Sequence, residues 1–184
     1  MKIVIASSLV LLATLLFSCS NTQETDSTPV VDRKNLPSLL TDTISTLISD
    51  SGVTRYRIEA PRWGVYDKTN PPFQEFPYGV YMEQFDEDMT VKASLKADYA
   101  YYNENEQVWS LRGNVHILNR KGEQFDTPAL DWNQKGHRVY SDTIIHIKRE
   151  NGTISGVGFE SNEEMSKYTI LHPTGVFPID DEEE

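Results

Sequence analysis

One side chain in this sequence is placed for covalent chemistry. Cys19 is the sole cysteine and closes a fifteen-residue apolar run, Ile3 to Phe17, that follows Met1-Lys2. A basic start, an apolar stretch and Leu16-Phe17-Ser18-Cys19 have the layout of an export signal ending in a lipobox, where the thiol is lipidated and the chain is cut before it. A lone free thiol outside the cytoplasm would otherwise be open to oxidation and mispairing. Two acyl chains on the new terminus would anchor stably, whereas one binds only marginally. Two alternatives stay open: a plain signal peptide with a chance cysteine, and an uncleaved span. A fifteen-residue helix reaches about 22 Å, short of the roughly 30 Å hydrocarbon core.

The other reactive residue types are dispersed. His116, His137, His146 and His172 share no metal-ligand spacing, and Asp86-Glu87-Asp88 reads as a turn between strands. Gly-x-Ser-x-Gly, the Walker A pattern and His-Glu-x-x-His are missing, and no pair of carboxylates stands out for glycoside cleavage. The expectation is a protein that is not an enzyme, with no cofactor and no metal. The formal net charge of −11 excludes electrostatic binding of nucleic acid and docking on anionic head groups. An amphiphile would be held by its tails.

These residues imply four segments: a signal peptide over 1–18, a lipidated cysteine and flexible tether over 19–40, a folded domain over 41–178 and an acidic tail over 179–184. Ser20 to Asn35 is too polar to bury a core, and Asp180 to Glu184 is an unbroken run of acids. Between them apolar residues recur with period two and turn residues interrupt them, which predicts antiparallel strands with almost no helix. The clearest run is Met89, Val91, Ala93, Leu95, Ala97, Tyr99 and Tyr101, read as one face of one strand. Trp109 to Ile117, Gln124 to Trp132 and Arg138 to Lys148 follow, and Asn151-Gly152 marks a tight hairpin. Pro61, Pro71-Pro72 and Pro77 assign the stretch between them to loop or edge. Ala97–Ile117 can be laid over Pro128–Ile147 as a weak repeat of strand, turn and strand.

Stacked long hairpins make two facing sheets around an elongated apolar interior, either an all-β filled sandwich or an open antiparallel jellyroll. The apolar parity of the strands assigns Tyr56, Ile58, Val80, Met82, Val91, Leu95, Trp109, Leu111, Val115, Ile117, Val139, Ile145 and Ile147 to the lining of that interior. A closed core would use the same residues.

Three segments in this order resemble the LptC family, the periplasmic components of the lipopolysaccharide exporter, and its OstA-type β-jellyroll relatives. They are Leu111-Arg112-Gly113-Asn114-Val115; Thr127-Pro128-Ala129-Leu130-Asp131-Trp132 with Ser141-Asp142; and Gly156-Val157-Gly158-Phe159-Glu160-Ser161-Asn162. The resemblance implies a carrier that takes lipopolysaccharide from inner-membrane ABC transporter subunits and passes it to an LptA-like periplasmic jellyroll. The acyl chains would lie between the sheets. It also implies a periplasmic location, with the lipidated Cys19 in the inner membrane rather than the outer. In such jellyrolls the C-terminal strands offer an edge to the next protein, which here singles out Gly156, Gly158 and Phe159. The alternative is a glycan-binding or assembly scaffold with a filled sandwich, working through Trp63, Tyr66 and Tyr78.

Overall fold

The computed structural model describes residues 35–174. The signal segment, Cys19 and the acidic tail lie outside the described residues. Eleven strands follow in chain order: β1 (Leu39–Asp50), β2 (Val53–Tyr66), β3 (Phe73–Phe76), β4 (Val80–Phe85), β5 (Val91–Ala97), β6 (Tyr99–Asn103), β7 (Val108–Asn119), β8 (Gln124–Asn133), β9 (Arg138–Arg149), β10 (Gly152–Asn162) and β11 (Tyr168–Thr174). All belong to one antiparallel sheet, ordered β11-β10-β9-β8-β7-β5-β4-β2-β3-β6, with β1 on β2 and β6 also on β7. The all-β jellyroll expected from the alternation is present.

Both β3 and β4 pair with β2, and both β5 and β6 pair with β7. Each couple is therefore one long strand broken once, at Pro77-Tyr78-Gly79 and at Asp98. The chain is a meander of long hairpins, and its neighbours break at the same height. In β7 the register shifts between Arg112 and Val115, where Gly113 (φ 73°) and Asn114 (φ 44°) are left-handed. In β8 it shifts between Asp126 and Asp131, and in β10 between Val157 and Phe159, around Gly158 (φ 79°). A row of bulges bends each strand sharply, so the sheet doubles back into two leaves that face each other.

The segments that carry the family resemblance lie along this fold line. The Asp98 amide donates to the Gly113 carbonyl at 2.9 Å, and the Asn114 amide nitrogen donates to the Asp98 carboxylate at 2.6 Å. A Cβ on Gly113 would come within 3.0 Å of the Asp98 side chain, so this position needs glycine both for its backbone angle and for the close approach. Between β8 and β9 the ladder is interrupted, and buried hydroxyls take up the freed backbone groups. Ser141 Oγ donates to the Ala129 carbonyl at 2.7 Å, Thr127 Oγ1 donates to the Ile144 carbonyl at 2.9 Å, and the Thr143 amide donates to Ser141 Oγ. Pro128 sits in this gap, where no partner needs its missing N–H.

The facing surfaces of the leaves form a single core. Phe76, Phe125, Phe159, Leu111, Leu130, Ile145, Ile147 and Val115 are its largest fully buried side chains. Rings from the two leaves meet across it: Tyr56 lies 5.6 Å from Trp132, and Phe125 stands edge-on to Tyr168 at 5.1 Å.

The structure corrects several sequence expectations. The run Met89 to Tyr101 is not one strand with one face. Met89 is a left-handed turn residue, and the break at Asp98 flips the parity, so that Ala97 and Ala100 are buried while Tyr99 and Tyr101 leave the core. Val91, assigned to the lining, is 43% exposed at the rim, where the β4–β5 register shifts next to that turn. Strand β1 begins at Leu39, inside the segment read as tether, and Pro61 lies within β2, opposite Thr43, whose backbone is left-handed (φ 55°). Strand β11 was not foreseen at all. It covers Ser155 to Ser161 of β10, so Gly156, Gly158 and Phe159 sit on a strand with neighbours on both sides and are not an edge. Glycine at 156 is required by that cover, since a Cβ there would lie 2.3 Å from Ile170 Cγ2 and 2.6 Å from the His172 carbonyl.

Candidate functional site

The interior between the leaves is where the sequence placed its lining residues. Ile58, Val80, Met82, Trp109, Leu111, Val115, Ile117, Val139, Ile145 and Ile147 all belong to the buried core, and Leu95 packs against it half-buried. Tyr56 is also half-buried, beside Trp132. Burial holds its phenol above the usual range, with the Glu163 carboxylate adding to the shift.

Two spaces remain in this interior. A cavity of about 60 Å³ lies between Tyr56, Met82, Leu95 and Ile117 of one leaf and Leu130, Trp132, Val139 and Met165 of the other. An apolar cavity of about 150 Å³ is needed to hold a benzene, so this one admits no acyl chain as it stands. The second space, about 340 Å³, is framed by Ile44, Thr46 and Ile48 of β1 with Ile58, Trp63, Phe76, Tyr102 and Trp109. A ladder of rings separates them. Trp63 stacks on Phe76 at 6.2 Å, Phe76 meets Trp109 at 5.5 Å, Trp109 stacks on Trp132 at 6.5 Å, and Trp132 meets Tyr56. Tyr102 packs on Trp109 at 4.8 Å.

The rims of the leaves are held together at the β11 end. The turn between β10 and β11 reaches across, and Met165, only 2% exposed, plugs the gap. Its carbonyl accepts from Asn119 Nδ2 at 2.9 Å, and Lys92 pairs with Glu164 at 3.2 Å. Tyr168 Oη donates to Glu123 and accepts from Arg149 Nε. Glu163 accepts from Trp132 Nε1 at 2.8 Å and meets His137 Nδ1 at 2.9 Å. The β1 end lacks such a staple among the described residues. There Leu39, Leu40, Leu47 and Ile48 are exposed, and the outer edge of β1 pairs with no described strand.

Met165, Phe76, Tyr102 and Glu163 are site residues that the sequence reading missed. Asn162 to Met165 looks like a polar turn, and only the third dimension shows it folding inward. Tyr102 was hidden by the parity flip at Asp98. On the outer face His116 and His146 flank Asp126, with His116 Nδ1 2.6 Å from its carboxylate. Among the described residues no group of three such ligands is arranged to hold a metal.

A folded-back antiparallel sheet around an apolar interior, with one stapled end and one looser end, defines a β-jellyroll. The chain matches the family described as lipopolysaccharide-assembly, LptC-related over residues 4–175 and belongs to it. Members are non-enzymatic bridge components of lipopolysaccharide transport, located in the periplasm in association with the inner membrane. Among curated proteins none matches the chain.

Proposed function

We propose that this protein carries lipopolysaccharide by its acyl chains between the two leaves, entering near β1 and leaving near β11. It receives the lipid from inner-membrane ABC transporter subunits and hands it to an LptA-like jellyroll that pairs with the β11 edge. Cys19, lipidated after cleavage, replaces a membrane span and holds the domain at the inner membrane. The observation that carries this reading is the asymmetry of the interior: a 340 Å³ space beside β1 and a 60 Å³ cavity behind the Met165 plug.

Carriage then requires the leaves to part. Each buried methylene of a tail contributes about 0.8 kcal/mol, so tails that replace the Met165 plug supply free energy against a seam of a few hydrogen bonds, each worth about 1 kcal/mol net, and the Lys92–Glu164 ion pair, worth less than about 1 kcal/mol. Release is the harder direction. It needs a driver outside the protein, and the transporter's nucleotide hydrolysis fits that role.

The filled interior is the one observation on the side of a scaffold. Of its three aromatics, Trp63 packs against the core and Tyr66 stacks on Phe73 at 4.4 Å, leaving Tyr78 exposed at 64%. The two readings separate through Leu95→Lys and Tyr78→Ala. Leu95 borders the small cavity beside Ser94 and Glu83, so the lysine ammonium can reach water at the rim while its stem crosses the lipid path. Lipopolysaccharide recovered with the purified Leu95→Lys protein is expected to fall about tenfold, with a cooperative melt retained, and Tyr78→Ala is expected to keep its lipid. The opposite pattern would put the function on the surface.

A further inference from the structure

The outer side of the fold line holds a groove whose side chains the carriage of lipid does not use. We propose that this groove binds a glycan strand of N-acetylated amino sugars. The inference does not rest on the carrier reading.

The groove lies where the ladders are interrupted. The β7–β8 register shifts between Arg112 and Val115, the β8–β9 register shifts between Asp126 and Asp131, and a concavity of about 750 Å³ opens over this stretch. Its first row of side chains is Lys96 of β5, His116 of β7, Asp126 of β8 and His146 of β9, each directly opposite the next. They alternate along their strands with Val115, Ile117, Phe125, Ile145 and Ile147, which are buried, so the row points away from the core. At about 4.8 Å per strand it runs roughly 14 Å. Two residues nearer the fold line on each strand, and so on the same face, a second row follows: Asp98, Asn114, Pro128 and Ile144.

The first row is engaged only in part. His116 turns Nδ1 to Asp126 at 2.6 Å and His146 turns Nδ1 to Ser155 Oγ at 2.7 Å, which leaves Nε2 of both rings and the second Asp126 oxygen without a protein partner among the described residues. Lys96 likewise forms no ion pair among them. In the second row Asn114 donates to Asp98 at 2.6 Å, while Pro128 is exposed and Ile144 is 44% exposed. One cation stands among two carboxylates, so no single charge selects an ion. Apolar surface beside fixed polar groups, in a space within the roughly 300–1,000 Å³ of small-molecule sites, fits a ligand that is itself two-sided. A sugar ring is such a ligand: its hydroxyls both donate and accept, and its face is C–H. An acetamido group adds an N–H for the free Asp126 oxygen, a carbonyl for the neighbouring His146 ring and a methyl for Ile144. The sugar of a lipid whose tails lie between the leaves does not reach this groove, because the leaves part at the opposite rim, where Met165 meets Asn119.

The test titrates the isotope-labelled full chain with N-acetylchitotriose, maltotriose and de-acylated lipopolysaccharide, and follows the Ile144 methyl and His146 ring resonances. N-acetylchitotriose is expected to shift both, and the other two probes neither. Asp126→Ala is expected to weaken that binding about tenfold, the loss of one hydrogen bond to a charged group, with the melt unchanged because the side chain is exposed. Lys148→Ala, one row further along the same face opposite Gln124, is expected to leave binding as it was. Unmoved resonances at millimolar N-acetylchitotriose, or equal shifts with maltotriose, overturn the proposal and leave the carrier reading standing. Shifts with de-acylated lipopolysaccharide in place of N-acetylchitotriose overturn it as well, and assign the groove to the head group of the carried lipid.

Discussion

Leu111→Asp is expected to abolish cooperative unfolding of the domain, so that a thermal melt followed by circular dichroism shows no transition. Leu111 is fully buried in β7, opposite Ala100 of β6 and Leu130 of β8. The substitution removes a packed side chain, which alone costs about 2–5 kcal/mol. It also buries a carboxyl that finds no cation. Arg112, its chain neighbour, is turned to the other face, where it pairs with Asp131 at 3.0 Å. The carboxyl must then be buried neutral or drag water inward, at a cost of several kcal/mol more. Together these approach the roughly 5–15 kcal/mol that holds a domain of this kind together. A loss of lipid binding in this variant would therefore report unfolding, which is why Leu95 at the rim is the informative site for a charge.

The second large effect is expected at Gly156. An alanine methyl there would overlap Ile170 Cγ2 and the His172 carbonyl, two atoms of the strand that covers it. Backbone atoms cannot yield as a flexible side-chain tip can, so β11 must move away from β10 over the Val157–His172 pairing. Overpacking of this type costs about 1–3 kcal/mol. Strand β11 has little to oppose that, because Leu171 and the residues after it are exposed. Gly156→Ala is expected to raise amide hydrogen exchange across residues 155–161 by about tenfold or more while β7 and β8 keep their protection. It is also expected to promote self-association, since the bared β10 edge offers unpaired backbone groups. Unchanged protection at β10 would show that β11 tolerates the methyl by shifting as a body.

What the sequence made legible follows from how each signal arises. Period-two alternation survives in β7 and β9, whose inward residues Trp109, Leu111, Val115 and Ile117, and Val139, Ile145 and Ile147, keep one parity from end to end. It flips where β5–β6 and β8 cross the fold line with one residue fewer than their neighbours β7 and β9. After Asp98 the inward positions become Ala100 and Tyr102, and after Pro128 they become Leu130 and Trp132. The same slip displaces the internal repeat by one residue, since Val108 is half-exposed and Trp109 is the inward counterpart of Val139. The bulges were nevertheless written in the sequence. Leu-Arg-Gly-Asn-Val, Thr-Pro-Ala-Leu-Asp-Trp and Gly-Val-Gly-Phe carried the resemblance to the family, and they are the segments that make each strand turn at the fold line. Strand β11 and the Met165 plug had no comparable signal. Their residues are polar or isolated, and their place is set by contacts with Asn119 and Glu123 more than forty residues away.

The claim that lipid travels between the leaves is tested most directly by a photocrosslinking aromatic amino acid placed at four aromatic positions in living cells. Tyr56 and Tyr102 line the two interior spaces, whereas Tyr78 is exposed and Tyr140 lies outside the core beneath Arg138. Exchanging one aromatic ring for another keeps the packing cost low at each site. The expected result is lipopolysaccharide attached at positions 56 and 102 and none at 78 and 140. Adducts confined to 78 or 140, in protein that is folded and present at normal levels, would contradict an interior path and leave a filled jellyroll that works through its surface.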